Sequence, residues 1–420
     1  MRSLAVAAVL ATGLIHAAAA AEVAIYCGGQ TEELALCREG AEAWAKESGN
    51  TVRVLAAPER SDERYWLYVD RLERQDDSVD VFQIDVIWPS ALAPHLIDLK
   101  PFVPDDVLAA HLPAIVANNT VDGRLVAMPW FTDAGLLYYR KDLLERSGLP
   151  VPTTYGELAA TALAIQAKER PLAGGELWGF VFQGNAYEGL TCNALEWISA
   201  YDGTILDADG GIAVDSPAAA LALAQAASWV GTIAPPRVTR FVEEDARITF
   251  QLGNAVFMRN WPYAWALLQG EGSLVRDKVG VAPLPGGGPG GRQHSATLGG
   301  WQLAVSKYSK NQEAAASLVA YLTSPAEQKR RAIAGTYAPT VTALYDDSEV
   351  LAAAPFFADF KAILADAVAR PSSTAKARYA QLSTAFWEAA HATLTGRGSA
   401  GDNLAALDDR LRLLRARGGW

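Results

Sequence analysis

Apolar and polar residues along the chain alternate between the spacing of strands and that of helices. Apolar runs at residues 23–26, 51–55 and 79–87 predict three strands, and amphipathic stretches at 31–48 and 62–74 predict the helices between them. Elements in this order typically form a parallel sheet with helices on both faces. The sequence therefore predicts an α/β fold.

The same alternation continues through the rest of the chain. Further apolar runs predict strands over 136–139, 178–182, 255–258 and 279–281. Residues typical of helix N-caps precede three later helical stretches, at Thr154, Ser216 and Ser324. Beyond Pro355 the pattern is almost entirely helical.

Two extended segments, 131–135 and 296–300, each separate two strand-like runs. Two neighbouring connections of this kind between α/β lobes form a hinge. We therefore expect two lobes, each built from non-contiguous parts of the chain. Their expected bounds are 22–132 with 298–338 for lobe I and 133–297 with 339–420 for lobe II.

The first 21 residues have the pattern of a secretory signal peptide. Arg2 precedes an apolar run over 4–14, and a run of alanines ends at Ala21, where we expect cleavage just before or after that residue. A retained membrane anchor is the alternative, which the shortness of the apolar run disfavours. The bulky Tyr26 before Cys27 does not suit lipoprotein cleavage. We therefore expect a periplasmic protein without a lipid anchor.

Composition narrows the classes of partner. The 420 residues include 36 Lys and Arg against 47 Asp and Glu, which gives a formal net charge of −11. An acidic chain has no electrostatic footprint for nucleic acid or for an anionic membrane, and we expect a monomer. The 12 tryptophans are roughly twice the number in an average protein of this length.

Three cysteines, Cys27, Cys37 and Cys192, leave at least one thiol unpaired. Cys27 ends the first predicted strand and Cys37 lies in the next helix. A disulfide between these two is one interpretation in an oxidising compartment, and buried free thiols are the other.

The common catalytic and metal-binding motifs do not occur. Gly286, Gly288 and Gly291 match the spacing of a dinucleotide-binding loop, but Pro289 interrupts it and no helix follows. The chain has no P-loop, no G-x-S-x-G and no H-E-x-x-H, and its five histidines are scattered. We therefore expect no cofactor, no metal site and no catalytic residue.

Polar side chains, often beside aromatic ones, follow several predicted strands. They include Gln30, Glu32, Asp85, Asp133, Tyr187, Trp261, Tyr263 and Trp301. Ligands of open α/β sheets bind at such strand ends. Carboxylates accept strong hydrogen bonds from hydroxyl groups, and aromatic rings cover the C–H faces of a sugar. The pattern therefore favours a neutral sugar as ligand.

Each of these residues also has a structural interpretation. Trp44 and Trp229 lie on helices, and we expect both in the core, whereas Trp261 and Trp301 stand beside Gly or Pro in loops and favour ligand contact. Asp85 lies in an apolar strand and needs a partner. That partner is a ligand, or alternatively a helix cap or a salt bridge.

Several blocks of sequence carry a family likeness. The chain resembles the family 1 extracellular solute-binding proteins of ABC importers, in the maltose/trehalose-binding branch. The resembling blocks are GQTE at 29–32, DVFQIDVIW at 80–88, QGNAYEG at 183–189, MRNWPY at 258–263, GGW at 299–301 and SPAEQ at 324–328.

The resemblance implies a two-lobe periplasmic binding protein fold of type II that closes on an α-linked disaccharide. By motif position it implies first-lobe ligands at Glu32, Arg64 and Asp85, and a hydroxyl ligand at Asp133 by the hinge. It adds further ligands at Trp261, Tyr263, Gly299, Gly300, Trp301 and Arg370. Phe131 stands where trehalose binders are expected to have tyrosine.

These expectations describe a periplasmic component that passes its ligand to the permease of an ABC importer. One alternative keeps the fold but exchanges the ligand for a polyamine or a polyol phosphate. Another is a secreted glycosidase that uses two carboxylates such as Asp85 and Asp133.

Overall fold

The computed structural model describes residues 20–29, 31–418 and 420. The expected signal peptide therefore lies outside the described residues, apart from its last two positions. The strands are β1 (Glu22–Cys27), β2 (Thr51–Ala56), β3 (Val81–Asp85), β4 (Thr120–Val121), β5 (Arg124–Leu125), β6 (Met128–Ala134), β7 (Leu136–Arg140), β8 (Trp178–Val181), β9 (Ala255–Asn260), β10 (Val279–Pro283), β11 (Leu298–Val305) and β12 (Ala338–Pro339).

The helices up to residue 269 are α1 (Thr31–Ser48), α2 (Ser61–Glu73), α3 (Pro89–Leu92), α4 (Asp105–Ala109), α5 (Pro113–Asn118), α6 (Lys141–Ser147), α7 (Tyr155–Glu169), α8 (Glu188–Ala200), α9 (Pro217–Trp229), α10 (Glu243–Gln251) and α11 (Ala264–Gln269). The later helices are α12 (Gln312–Leu322), α13 (Pro325–Gly335), α14 (Ser348–Ala353), α15 (Phe357–Ala365), α16 (Ser372–Ala375), α17 (Tyr379–Leu394) and α18 (Ala400–Ala416).

Two sheets form the centres of two lobes. The first has the order β12-β6-β11-β3-β1-β2, and the second has the order β10-β7-β9-β8. β1 is parallel to β2 and β3, as the βαβαβ pattern predicts. The remaining pairs of the first sheet are antiparallel, because β6 and β11 bring the chain to and from the other lobe. The parallel arrangement predicted for the first three strands is confirmed, and the antiparallel strands that the later chain adds make both sheets mixed.

The lobes are joined where β6 passes into β7. The segments 131–135 and 296–300, which we expected to be connections, are largely strand, since β6 runs to Ala134 and pairs there with the start of β11. The first sheet thus extends past the expected boundary at 132/133. Gly135 makes the crossing, and a Cβ atom there would lie 2.2 Å from Glu196 Oε1. The crossing requires glycine because this carboxylate packs directly against the backbone.

Local sequence signals fix several element ends. Thr154 and Glu157 form the predicted capping box, and the hydroxyl groups of Ser216 and Ser324 each accept a backbone hydrogen bond from the third residue of their helix. Trp44 and Trp229 are buried in the core as expected. In the described part of the chain, we find no helix with the length and apolar character needed to cross a membrane.

The structure decides between the two interpretations of the cysteines. Cys27 at the end of β1 and Cys37 in the second turn of α1 form a disulfide, with their Cα atoms 6.2 Å apart. Cys192 on α8 is a buried free thiol. The disulfide ties the start of α1 to the strand end beside the candidate site.

Candidate functional site

A cleft between the lobes collects the strand-end side chains. It holds about 770 Å³ of empty space counted to its open mouth. Its lining is Glu33, Glu59, Ser61, Arg64, Asp85, Phe131, Asp133, Tyr187, Glu188, Gly189, Cys192, Glu243, Trp261, Tyr263, Gly299, Gly300, Trp301, Tyr337 and Arg370. The position at strand ends is the usual one for a ligand site of an α/β protein.

Arg370 links carboxylates of the two lobes. Its Nη2 atom donates to Asp85 Oδ1 at 3.0 Å, and its Nη1 atom donates to Glu188 Oε1 at 2.9 Å. Glu188 also accepts hydrogen bonds from Tyr379 and Ser383. Asp85 ends β3 of the first lobe, whereas Glu188 begins α8 of the second. Asp85 therefore has a salt-bridge partner, and this ion pair links the two walls of the cleft.

Burial and the neighbouring charges shift the pKa values of all three groups of this bridge. Burial raises the pKa of both Asp85 and Glu188, and the Arg370 guanidinium opposes the rise. Burial disfavours the charged form of Arg370, but its acidic neighbours, Asp85 foremost, together raise the pKa of the guanidinium well above its ordinary value. The Nε atom of Arg370 is buried and has no partner among the described residues. This donor therefore has an unsatisfied hydrogen-bonding capacity inside the bridge.

Two partly exposed tryptophans line opposite parts of the cleft. The Arg64 guanidinium carbon lies 4.3 Å from the ring centroid of Trp301, and the ring of Trp88 meets Trp301 edge-on. The Arg259 guanidinium carbon lies 3.7 Å from the ring centroid of Trp261. Cation–π contacts fix the orientation of both indoles before any ligand arrives.

Two glycines of β11 allow the close packing of the cleft wall. A Cβ atom on Gly299 would lie 3.0 Å from Asp133 Cβ and 3.1 Å from Trp261 Cζ3. Gly300 has φ +128°, and its Cβ atom would lie 2.6 Å from the carbonyl oxygen of Phe131. Gly300 therefore requires glycine for reasons of backbone conformation and space, and Gly299 leaves little room for a larger side chain.

Asp133 is a buried carboxylate near other acidic groups. Burial raises its pKa well above the ordinary value, with Glu33 adding to the rise and Arg259 opposing it. Arg259 itself is engaged by Glu196, to which its Nε atom donates at 2.9 Å. The Asp133 carboxyl group is thus poised to form a hydrogen bond with a ligand as donor or acceptor.

The mouth of the cleft is acidic on both sides. In the second lobe, Glu243 accepts hydrogen bonds from the Tyr187 hydroxyl group at 2.6 Å and from Trp261 Nε1 at 3.4 Å. The Tyr263 hydroxyl group donates to Glu244 at 2.8 Å. In the first lobe, burial raises the pKa of Glu59, and the charges of Glu244 and Glu243 raise it further. Closure therefore brings like charges together at the mouth.

The structure brings most of the predicted site residues together. Those that line the cleft are Arg64, Asp85, Asp133, Tyr187, Trp261, Tyr263, Gly299, Gly300, Trp301 and Arg370. Gln30 lies outside the described residues. Glu32 is exposed and does not line the cleft, and Glu33 stands there instead. Glu33 faces inward because α1 begins at Thr31 and the turn directs Glu33 over Gly28, where Gln83 Nε2 donates to it at 2.6 Å.

Glu188 adjoins Tyr187 in a quoted block and follows the same predicted strand, so the sequence itself indicates it. Sequence reasoning missed several other residues of the lining. Glu59, Ser61 and Glu243 precede or begin helices without any distinctive motif, and only the fold brings them to the cleft. Tyr337 directly precedes β12, where the chain returns to the first sheet.

The arrangement offers little for covalent chemistry. Burial raises the pKa of the Cys192 thiol to about 12, so the neutral thiol lines the cleft. Among the described residues, no group of three or more His, Cys, Asp or Glu is placed to hold a metal ion. What the cleft does offer is hydrogen-bonding groups, aromatic faces and contacts from both lobes.

This two-lobe fold with a cleft between the lobes defines a class of binding proteins, and the sequence assigns the family. Residues 29–329 match the family of bacterial extracellular solute-binding proteins. The chain therefore belongs to this family, whose members bind solutes and are not enzymes. The glycosidase alternative is thereby set aside.

Relatives extend along almost the whole chain. A probable ABC transporter-binding protein of Deinococcus radiodurans is 50% identical over 384 residues, which are 91% of each chain. The maltose-bound MalE3 structure of T. maritima is similar with a TM-score of 0.89 at 40% identity, and covers 94% of this chain and 100% of that one. The acarbose-binding GacH receptor of Streptomyces glaucescens shares the fold at 24% identity, with a TM-score of 0.83 over 96% of this chain and 100% of its own.

Proposed function

We propose that the protein is the periplasmic sugar-binding component of an ABC importer. It captures an α-linked disaccharide or a glucoside of the trehalose, maltose or sucrose type between its lobes and presents the closed form to a membrane permease. The observation that carries this proposal is the pair of preoriented indoles, Trp261 and Trp301, in a cleft that also holds carboxyl and guanidinium groups.

The chemistry of the cleft suits a sugar on two counts. Flat indole faces cover the C–H faces of pyranose rings and supply apolar area with few rotors to immobilise. The carboxyl groups of Asp85 and Asp133 and the guanidinium of Arg370 line the cleft and can form hydrogen bonds with hydroxyl groups. The likeness to the maltose-bound MalE3 structure, at 40% identity, adds support for a sugar.

Contacts between the lobes would favour closure. Arg370 reaches Asp85 across the cleft, and Arg60 of the first lobe donates to the Ala186 carbonyl oxygen of the second at 3.4 Å. The repulsion between Glu59 and Glu244 works against them. A sugar that contacts both lobes shifts this balance toward the closed form.

The identity of the sugar depends on a few side chains. Phe131 stands where tyrosine is expected in trehalose binders, and its ring packs edge-on against Tyr337 with centroids 4.9 Å apart. The position therefore supplies no hydroxyl group to the ligand. This difference favours maltose or another glucoside over trehalose.

Isothermal titration calorimetry tests the proposal. The full-length mature protein is titrated with maltose, trehalose, sucrose and glucosylglycerol, with mannitol as a non-glycosidic comparison. We expect saturable binding of at least one glycoside, and recovery of that sugar intact after long incubation. The absence of binding across all four glycosides would overturn the sugar proposal.

A polyamine is the second candidate, and the acidity of the cleft favours it. Glu33, Glu59, Asp85, Glu188 and Glu243 line the cleft, together with the buried Asp133, whereas the lining contains two arginines. The negative charge of a polyol phosphate, by contrast, would be repelled by this excess of carboxylates. Titration of the protein with spermidine in the same calorimeter distinguishes the two candidates. Saturable binding of spermidine without binding of any sugar would favour a polyamine as the ligand.

A further inference from the structure

Arg331 is a buried cation on the inner face of α13. Its side chain is 1% exposed, and its Nε, Nη1 and Nη2 atoms have no hydrogen-bond partner among the described residues. The preceding residue Arg330, in contrast, is paired with Glu327 and Glu39. Burial lowers the pKa of Arg331, because the attraction of Glu33 and Glu327 does not make up for the loss of water. A buried charge with unpaired donors lowers the stability of a fold, so its presence here indicates another role.

Three aromatic rings surround the Arg331 guanidinium. Its carbon atom lies 3.9 Å from the ring centroid of Trp130, 4.5 Å from that of Tyr337 and 5.3 Å from that of Phe131. Cation–π attraction is strongest where water is excluded. Phe131 and Tyr337 line the cleft, whereas Arg331 does not. The guanidinium therefore lies directly behind this part of the cleft wall and holds both rings in place.

Tyr337 carries the hydroxyl group of this part of the wall, since Phe131 has none. Burial raises the pKa of the Tyr337 hydroxyl well above its ordinary value, and the charges of Glu33 and Asp133 raise it further. The hydroxyl group therefore stays protonated and can donate a hydrogen bond. Because both carboxylates also line the cleft, this donor belongs to the polar part of the site.

The backbone beside Tyr337 is held from the other lobe. Thr336 has φ +50°, in the left-handed region that a β-branched residue rarely adopts. Its hydroxyl group donates to the Pro262 carbonyl oxygen at 2.9 Å and accepts from the Ala266 amide at 3.2 Å. Backbone strain of this kind persists only where the surroundings fix it, and it clusters at ligand sites. Tyr337 is thus fixed along the backbone by Thr336 and at the ring by Arg331.

We propose that Tyr337 donates a hydrogen bond to the ligand and that Arg331 is the residue that positions it. The inference rests on the proposed function, because it requires a sugar in the cleft. Arg331 acts through the Tyr337 ring and does not touch the sugar. Tyr337 thereby helps to determine which sugar hydroxyl the cleft recognises.

A double-mutant cycle tests whether the two residues act together. The wild type, Arg331→Met, Tyr337→Phe and the double variant are titrated calorimetrically with whichever of maltose, trehalose, sucrose and glucosylglycerol the wild type binds most tightly. Each single change is expected to weaken binding about three- to tenfold, as for the loss of one hydrogen bond. The double variant should stay within about twofold of the weaker single variant, because Arg331 acts through the hydroxyl group that Tyr337→Phe removes.

The stability of the ligand-free protein distinguishes positioning from a structural role. Arg331→Met should keep or raise the midpoint of urea denaturation, because methionine fills similar space without an unpaired charge. Arg330→Met is the matched control, since Arg330 is the adjacent residue of α13 and does not line the cleft. It should lower the midpoint, because it breaks the pairs with Glu327 and Glu39, and should leave sugar affinity within about twofold.

The outcomes separate the inference from the function on which it rests. Wild-type affinity in Tyr337→Phe or in Arg331→Met, or losses that add in the double variant, would overturn the inference and leave the proposed function standing. An Arg331→Met protein that is less stable than the wild type, or that does not fold, would show a structural role for Arg331 instead. A wild type that binds none of the four glycosides overturns the proposed function and the inference with it.

Discussion

The inter-lobe bridge gives the sharpest prediction, and Arg370→Met is the change that tests it. The substitution removes the guanidinium from between Asp85 and Glu188 and keeps a side chain of similar length. The three side chains are only 3%, 8% and 10% exposed. Water therefore has little access to the carboxylates that lose their partner. The folded variant is destabilised because it buries these carboxylates without a positive charge beside them.

The size of the effect follows from this burial. Removal of one partner from a buried ion pair costs about 3–5 kcal/mol. Glu188 keeps its hydrogen bonds from Tyr379 and Ser383, and Asp85 keeps one from the Ile87 amide, so the lower end of that range applies. We expect the free energy of unfolding to fall by about 3 kcal/mol at neutral pH.

The effect should also depend on pH. Without Arg370, burial raises the pKa of Asp85 and Glu188 further in the folded state, while the unfolded values stay the same. A group with a raised folded pKa stabilises the fold at low pH and loses that contribution as the pH rises. The deficit of Arg370→Met is therefore smaller at pH 5 than at pH 7, by about 1.4 kcal/mol for each unit by which the folded pKa of one carboxyl group rises within that range.

Chemical denaturation at several pH values, followed by circular dichroism, measures this deficit. Arg410→Met is the matched control, because Arg410 pairs with Glu388 on the surface and both side chains are about half exposed. We expect that control to stay within about 0.5 kcal/mol of the wild type. Equal stability of the two variants, or a deficit for Arg370→Met that does not change with pH, would refute the reasoning.

Three further predictions concern other parts of the molecule. Gly300→Ala should lower the free energy of unfolding by about 2–4 kcal/mol, because a Cβ atom there would meet the backbone. Gly49 has φ +73° and open space around it, so the control variant Gly49→Ala should cost only about 1–2 kcal/mol. Denaturation curves that show equal losses for the two variants would contradict this account. Burial lowers the pKa of His111 to about 4, so acidification from pH 6.5 to 4 should lower the free energy of unfolding of the wild type by about 3 kcal/mol more than that of His111→Gln. Free energies of unfolding that change with pH in the same way for both proteins would rule this out. Trp301→Ala should abolish both sugar affinity and the ligand-induced rise in Tm, whereas Trp178→Ala should keep both; a Trp301→Ala protein that still binds sugar with wild-type affinity would exclude this role.

Local signals in the sequence were sufficient for much of the fold. Thr154 with Glu157, and Ser324 before Pro325, are predictable because a cap uses only residues within one turn. The antiparallel placement of β11 between β3 and β6 could not be predicted in this way. It depends on the return of the chain from the second lobe, for which no short pattern exists.

The candidate site shows the same division. Asp85, Trp261 and Trp301 are recognisable because a polar or aromatic side chain interrupts an apolar strand end or follows it. Glu33 lines the cleft in place of the predicted Glu32. A shift of one residue along a helix decides which of two neighbouring carboxylates faces inward, and the sequence alone does not fix that position. Glu59 is recognisable only in the folded protein, since its significance lies in its proximity to Glu244 of the other lobe.

The crystal structure of the wild-type protein with its bound glycoside is the measurement that tests the central claim most directly. The account predicts a closed cleft in which pyranose rings lie against Trp261 and Trp301, with ring hydroxyls hydrogen-bonded to Asp85, Asp133 or the guanidinium of Arg370. A sugar bound elsewhere on the surface, or a cleft that holds the sugar with neither indole in contact, would contradict the account.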